Sequence, residues 1–423
     1  PEYYPILDGK PAMVQANLSS DALAEFFAQQ IAAAWRQGPN NWAGGNGACI
    51  GPDDGFLPAD ERPETRALMN GEIDPFLQVP SMTDPFIHLC NATAARLEKE
   101  FPNHYLGFYV YSNHNLPPTR FKPHRMLLPV VAPITYTRFG SIGNPNVPTS
   151  MFLVDVIKAW RPSVARMDSY LYNFNLADAA MPFTRRLYFT RSIPKLYELG
   201  VHYSTVESFQ DSWQHNIPAS WVYARVAWDT KTNVDKLLDE FYPLFYGPAA
   251  DAMRQYHTLV EDAYENTGAY AGNIWSMHRI FPPKTVREMA GLLDRAERQV
   301  RGQAPFDARV EVLRIAYRAL ECWLEARQAL NDARLAQAAD WSERFRQNWE
   351  AGNKKYPLFV GQYAWAYYKG AHHPSFTDAG RLAVTAFRRA QIELNLDALR
   401  GLSPEDTDEL LRIVRLIQKN MPA

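Results

Sequence analysis

Ala48-Cys49-Ile50-Gly51-Pro52-Asp53-Asp54-Gly55 is the stretch on which the fold turns. A short apolar run breaks at a glycine and a proline, and two adjacent acids follow at the break. Strands buried in a parallel sheet read as short apolar runs, and in α/β folds binding and catalytic groups collect at their carboxyl ends. Asp53 and Asp54 are therefore candidates for a strand-end site. The same residues also make an ordinary Asp-Asp-Gly turn, so the neighbouring sequence has to decide.

Working outward, short apolar runs alternate with helical periods. Further strand candidates fall at residues 12–16, 106–111, 127–134, 167–172 and 201–206. Between them, Ser20 can cap a helix that carries Leu23, Phe27, Ile31 and Ala34 on one face. Asp84-Pro85 is a start signal for a second helix through Ala94, Leu97 and Phe101. This alternation predicts a parallel sheet. Six strands cannot close a (β/α)8 barrel, which needs eight. Either the sheet is open and doubly wound, or it is a TIM-like barrel whose first two units lie before Pro1, a first residue that reads as the start of an internal piece. The polar residues favour the barrel, because they follow one strand after another. Asn17, then Asp53 and Asp54, Asn113 and His114, Tyr136 and Arg138, Asn173 and Asn175, and Glu207 with Gln210 and Trp213 would form a rim.

After Trp228 the pattern becomes helical throughout. Thr232 with Asp235, and Thr285 with Glu288, fit capping boxes. Asp307 opens a helix with Val310, Leu313 and Tyr317, and residues 404–417 form one more amphipathic helix. The expectation is an α/β barrel portion over residues 1–228 followed by an α-helical bundle over residues 229–423. Two loops, residues 38–48 and 55–83, are long enough to be functional.

Composition narrows the chemistry. With 423 residues and a formal net charge of −2, the chain has no basic footprint for nucleic acid. No apolar run approaches the length of a membrane span. Its 22 Tyr, 22 Phe and 11 Trp suit sugar-stacking surfaces and large cores alike. Cys49, Cys90 and Cys322 are far apart and make neither a disulfide framework nor a metal signature. The histidines lack the i, i+4 spacing of a helical zinc pair, and no phosphate loop, dinucleotide fingerprint or serine elbow is present. No metal and no cofactor is expected.

What remains is acids at strand ends among aromatics and amides. Glycoside cleavage generally needs two carboxyl groups, one to protonate the leaving oxygen and one as base or nucleophile. Glu207 and Asp54, with Asp53 beside it, are the candidate catalytic acids. Tyr111, Asn113, His114, Tyr136, Arg138, Tyr172, Asn173, Gln210 and Trp213 are the candidate substrate-binding residues. Taken singly each has a plainer reading, since a strand tyrosine is more often core and an amide more often holds a loop. Only their shared position after strands raises the set.

Several stretches also recur in a familiar order. They are the opening Pro1-Glu2-Tyr3-Tyr4-Pro5-Ile6-Leu7-Asp8-Gly9-Lys10, the Gly-Pro-Asp-Asp-Gly run, Asn115-Leu116-Pro117-Pro118, Trp228-Asp229, residues 233–242, and Tyr246-Gly247-Pro248-Ala249-Ala250. In that order they resemble the domain of unknown function 4838 group over roughly residues 1–253. Part of that group is glycoside hydrolase family 163, endo-acting β-N-acetylglucosaminidases on complex N-glycans. The resemblance implies a TIM barrel followed by helices, and a secreted or periplasmic carbohydrate-active protein. Asp54 matches the acid of the group's Pro-x-Asp-Gly stretch, and Glu207 ends the last barrel strand. Many relatives carry clustered cysteines after the Asp-Gly, whereas here the run continues Phe56-Leu57-Pro58. The expected activity is therefore hydrolysis of β-linked N-acetylhexosamine in complex glycans. A substrate-assisted retaining route is open if a 2-acetamido group is present. The alternatives are a non-catalytic carbohydrate-binding barrel, or a hydrolase of uronic-acid glycans with Arg138 as the carboxylate partner.

Overall fold

The computed structural model of the protein describes residues 2–38, 45–137, 139–173, 181–208, 213–267, 277–357 and 360, the side chains of 213–215 excepted. A small antiparallel pair, β1 (Ile6–Leu7) and β2 (Lys10–Pro11), precedes helix α1 (Asp21–Arg36). Ser20 caps α1 as its position predicts, its hydroxyl accepting from Leu23 N at 3.1 Å. The main sheet follows: β3 (Gly47–Cys49), β4 (Tyr105–Val110), β5 (Leu127–Val131), β6 (Asp168–Tyr172) and β7 (Tyr203–Glu207). These five strands are all parallel and lie side by side in chain order. Helices α2 (Pro63–Leu68), α3 (Thr83–Leu97), α4 (Pro148–Trp160), α5 (Arg186–Glu198) and α6 (Trp213–Val226) lie between and after them.

Two expectations are corrected. Residues 12–16 form no strand, and Met13 is 80% exposed and Val14 56%, so the large apolar side chains of this run stay out of the core. The sheet is also not a closed eight-stranded barrel. Its described strands number five, and β3 and β7 are unjoined edges. Closure requires strand number, tilt and stagger to match around a full ring, and five parallel strands do not supply it.

Consecutive strand order has a further effect. Crossovers of one hand place every connecting helix on the same face of the sheet. On that face Leu106, Phe108 and Val110 of β4 and Leu171 of β6 are buried. Phe108 meets Phe86 of α3 at 5.3 Å and Trp160 of α4 at 6.0 Å. Each such fully buried side chain contributes roughly 1.5–3 kcal/mol. The alternate residues, Tyr109 on β4 and Tyr170 and Tyr172 on β6, project from the opposite face and stay half-buried or exposed.

The long loop after β3 folds back over the carboxyl end of the sheet. Its Leu57 is buried, and both backbone groups of that residue pair with the Asn113 side chain, at 3.0 and 2.7 Å. Asp60 accepts from Ile6 N at 2.9 Å and so ties β1 to the same loop. Asp74 accepts from Phe76 N and Leu77 N, each at 2.8 Å, and from the Tyr136 hydroxyl.

Beyond α6 the chain is helical: α7 (Val234–Tyr246), α8 (Ala250–Glu265), α9 (Met277–Ile280), α10 (Pro283–Val300), α11 (Phe306–Asn331) and α12 (Leu335–Lys355). Neither expected capping box forms. Asn233 caps α7, accepting from Lys236 N at 3.0 Å, while the Thr232 hydroxyl is engaged by the Arg225 and Asp229 carbonyls. The helix containing Thr285 already begins at Pro283, because proline is preorganised for a first helical position. The expected helix over residues 404–417 lies outside the described residues. Among the described residues, no helix is long and apolar enough to cross a membrane.

Buried charge joins α5 to α8. Glu261 is held by Arg186 and by Leu187 N at 3.2 Å, with its side chain 2% exposed. Glu265 accepts from Ser141 N at 2.8 Å, from Asn144 Nδ2 at 2.9 Å and from Arg191 at 2.9 Å. Ions this deep are tolerated only when their oxygens are fully satisfied.

Candidate functional site

The carboxyl end of the sheet brings one sequence-predicted acid into an aromatic setting. Glu207 is the last residue of β7 and pairs directly with Tyr172 on β6. Its carbonyl accepts from Asn173 N at 2.8 Å. Because side chains alternate, Tyr203, Thr205 and Glu207 share a face with Tyr170 and Tyr172. On this face Tyr170 lies 5.0 Å from Tyr109 and 5.4 Å from Tyr172, both edge-on. The Tyr109–Tyr170 contact spans β5, where the intervening side chain, Val130, is short. A shallow pocket of about 300 Å³ opens beside them, lined by Gly47, Cys49, Tyr109, Val130, Tyr170 and Thr205.

The electrostatics assign a direction to this group. Burial, followed by a hydrogen bond to Glu207, raises the Tyr170 phenol above its ordinary value. Tyr172 is raised by burial first, then by Tyr111 and Glu207. Tyr109 is raised by burial, with Cys49 and Glu207 adding to it. All three phenols therefore hold their protons at neutral pH, and the wall offers donors to the Glu207 carboxylate.

The other expected residues are placed as follows. Asp53 and Asp54 are exposed on the turn after β3, where Gly55 has φ +103°. The Asp53 carbonyl accepts from Gln15 Nε2 at 2.9 Å, but neither carboxylate bonds to another of the described residues. Tyr111 is half-buried beside Ser112, a non-glycine residue at φ +52°. Such a conformation costs on the order of 1–3 kcal/mol and marks a strained rim. Asn113 and Tyr136 are buried and bonded within the protein. His114 is buried against Phe86, 5.2 Å away. Burial brings its pKa down to about 3, with the Tyr109 carbonyl pulling weakly the other way.

Asn173 is buried, and its Nδ2 donates to Ser220 Oγ at 3.0 Å while its carbonyl accepts from Asn216 at 2.8 Å. The amide oxygens of Asn173 and Asn216 have no partner among the described residues. Two buried acceptors without donors where the end of β6 meets α6 call for a bound water. Arg138, Asn175 and Gln210, and the side chain of Trp213, lie outside the described residues. Among the described residues, no cluster of His, Cys, Asp or Glu is arranged to hold a metal.

Tyr109, Tyr170 and Cys49 were not expected at the site. Their signal was the two-residue alternation within the strands, Tyr109 with Tyr111 and Tyr170 with Tyr172, rather than the residues that follow the strands.

No curated protein matches the chain. No solved structure matches it either. A family model described as a domain of unknown function (DUF4838) matches residues 1–258, more than half of the chain, and that description names no activity. The chain belongs to the DUF4838 family.

Proposed function

We propose that the protein is a glycoside hydrolase acting on β-linked N-acetylhexosamine in complex glycans, with Glu207 as a working carboxylate. One observation carries this reading: Glu207 ends a parallel strand within a wall of tyrosines on the sheet face that the described helices leave open. Aromatic rings suit the C–H faces of sugars, and phenols and amides suit their hydroxyls. In this setting Glu207 serves as base, as nucleophile, or as the group that orients a substrate acetamide. Protonation of the leaving oxygen falls to a second carboxyl group, for which Asp54 is the candidate.

A second reading, binding without hydrolysis, is favoured by the exposure of Asp53 and Asp54. A general acid has to reach the leaving oxygen inside the pocket, and an exposed turn carboxyl is not enclosed in one. Release of product from complex N-glycans by wild type, Glu207→Gln and Asp54→Asn separates the two. Hydrolysis that drops by about 10²–10⁴ in Glu207→Gln supports catalysis. Wild-type rates in that variant would remove Glu207 from the chemistry. Glycan retained by the wild type without product on long incubation would favour binding alone.

A further inference from the structure

The turn after α6 leaves Trp228 93% exposed. An indole is among the largest apolar groups a chain can bury, so one left in water is an informative exception. It has company. Tyr203, the first residue of β7, is 59% exposed, and Tyr197 near the end of α5 is 54% exposed. All three line one cleft of about 510 Å³, a volume typical of small-ligand sites. The cleft sits at the amino-terminal end of β6 and β7. It is separated from Glu207 by four residues of β7, roughly 13 Å at the usual strand rise.

Two of the rings are braced. The Arg166 guanidinium stacks over Tyr203 at 4.1 Å and is itself held by Asp168 at 3.0 Å. Tyr197 lies 4.9 Å from His202, with the ring planes 34° apart. Behind them Leu196 and Val201 are buried, and the Tyr223 hydroxyl is tied to Ser204 Oγ at 2.9 Å. The far rim is polar. Asp229 Oδ1 accepts from Lys231 N at 2.9 Å, while the second carboxylate oxygen and the Lys231 ammonium have no ion-pair or hydrogen-bond partner among the described residues.

A pyranose presents one apolar face of C–H groups and an equator of hydroxyls. Braced aromatic rings bounded by a free acceptor and a free donor match both parts. A partner protein would more naturally meet a broad patch depleted of charge at its centre. We propose that this cleft is a second carbohydrate site that holds a sugar unit of the glycan chain without acting on it, with Trp228 as its stacking platform. The class of ligand rests on the carbohydrate reading of the Glu207 face, whereas the position of the cleft does not. The Trp228-Asp229 pair, which the Glu207 site leaves unused, thereby gains a role.

The test is isothermal titration of the full chain carrying Glu207→Gln with triacetylchitotriose and with a complex N-glycan as probes. Adding Trp228→Ala is expected to weaken or remove one class of binding by tenfold or more, with circular dichroism unchanged. Adding Tyr170→Phe instead should leave that class in place. If Trp228→Ala binds both probes as tightly as its parent, the second site is wrong, and sensitivity to Tyr170→Phe would still leave the Glu207 face intact. If neither probe binds, both readings fall. If sedimentation shows self-association that Trp228→Ala abolishes, the cleft is covered by a second copy of the chain and the proposal is overturned.

Discussion

Tyr170 keeps its proton, because burial and then the neighbouring Glu207 both raise its phenol above the ordinary value. Glu207→Gln removes the neighbouring acid and is expected to lower the Tyr170 pKa towards that ordinary value. ¹³C NMR of labelled tyrosine in an alkaline titration reads the change without turnover. An unmoved Tyr170 titration would show that the two groups are not coupled. A second residue-scale expectation concerns the buried imidazoles. Burial lowers His114 and His257 each to about 3, and His257 pairs through Nδ1 with the Met253 carbonyl at 2.8 Å. Both are neutral in the fold, whereas the unfolded chain takes up protons near pH 6.5. Their contribution is therefore fully present above about pH 6.5 and is lost as the pH falls towards 3, at up to about 1.4 kcal/mol per pH unit for each ring. Urea midpoints at pH 7 and pH 5 should show the loss, and His257→Gln should reduce it.

At the scale of the element, caps and turns show how far local sequence reaches. Ser20 was legible because its side chain has no competing partner and its helix follows at once. Thr232 was the wrong cap by one residue, since its hydroxyl is taken by the preceding turn and Asn233 is left to do the work. Asn233→Ala is expected to destabilise the protein by about 1 kcal/mol, read as a lower urea midpoint at unchanged slope. Gly247 ends α7 at φ +53°, and an added Cβ there would come within 2.7 Å of the Phe306 ring. Gly247→Ala therefore meets both backbone strain and a clash, and should cost on the order of 1–3 kcal/mol. The strands behaved differently. Four parallel strands after β3 fall within three residues of their apolar runs, whereas residues 12–16 have the composition of a strand but leave Met13 and Val14 in solvent. Apolar composition permits a strand, but only pairing with a neighbour makes one.

Among the described residues, the α/β part and the helices share one continuous core, and one buried polar link between them is Glu261 with Arg186. Arg186→Ala would leave Glu261 buried and unpaired, and is expected to cost about 3–5 kcal/mol in equilibrium unfolding. A much smaller loss would mean that water reaches the carboxylate. This link was not legible in advance, because its partners are 75 residues apart and nothing local marks either as buried. The same limit applies to the site. By itself the sequence determined the strand–helix alternation, the switch to helices after Trp228, and Glu207 at a strand end, because periodicity and turn residues are local properties. Only the tertiary structure decided that five strands lie in order, with one face that the described helices leave open. It also decided that Asn113, His114 and Tyr136 turn inward, and that Tyr109 and Tyr170 meet near Glu207. Those outcomes depend on which face the crossovers cover and on which strands become neighbours, and both are set by packing across long stretches of chain.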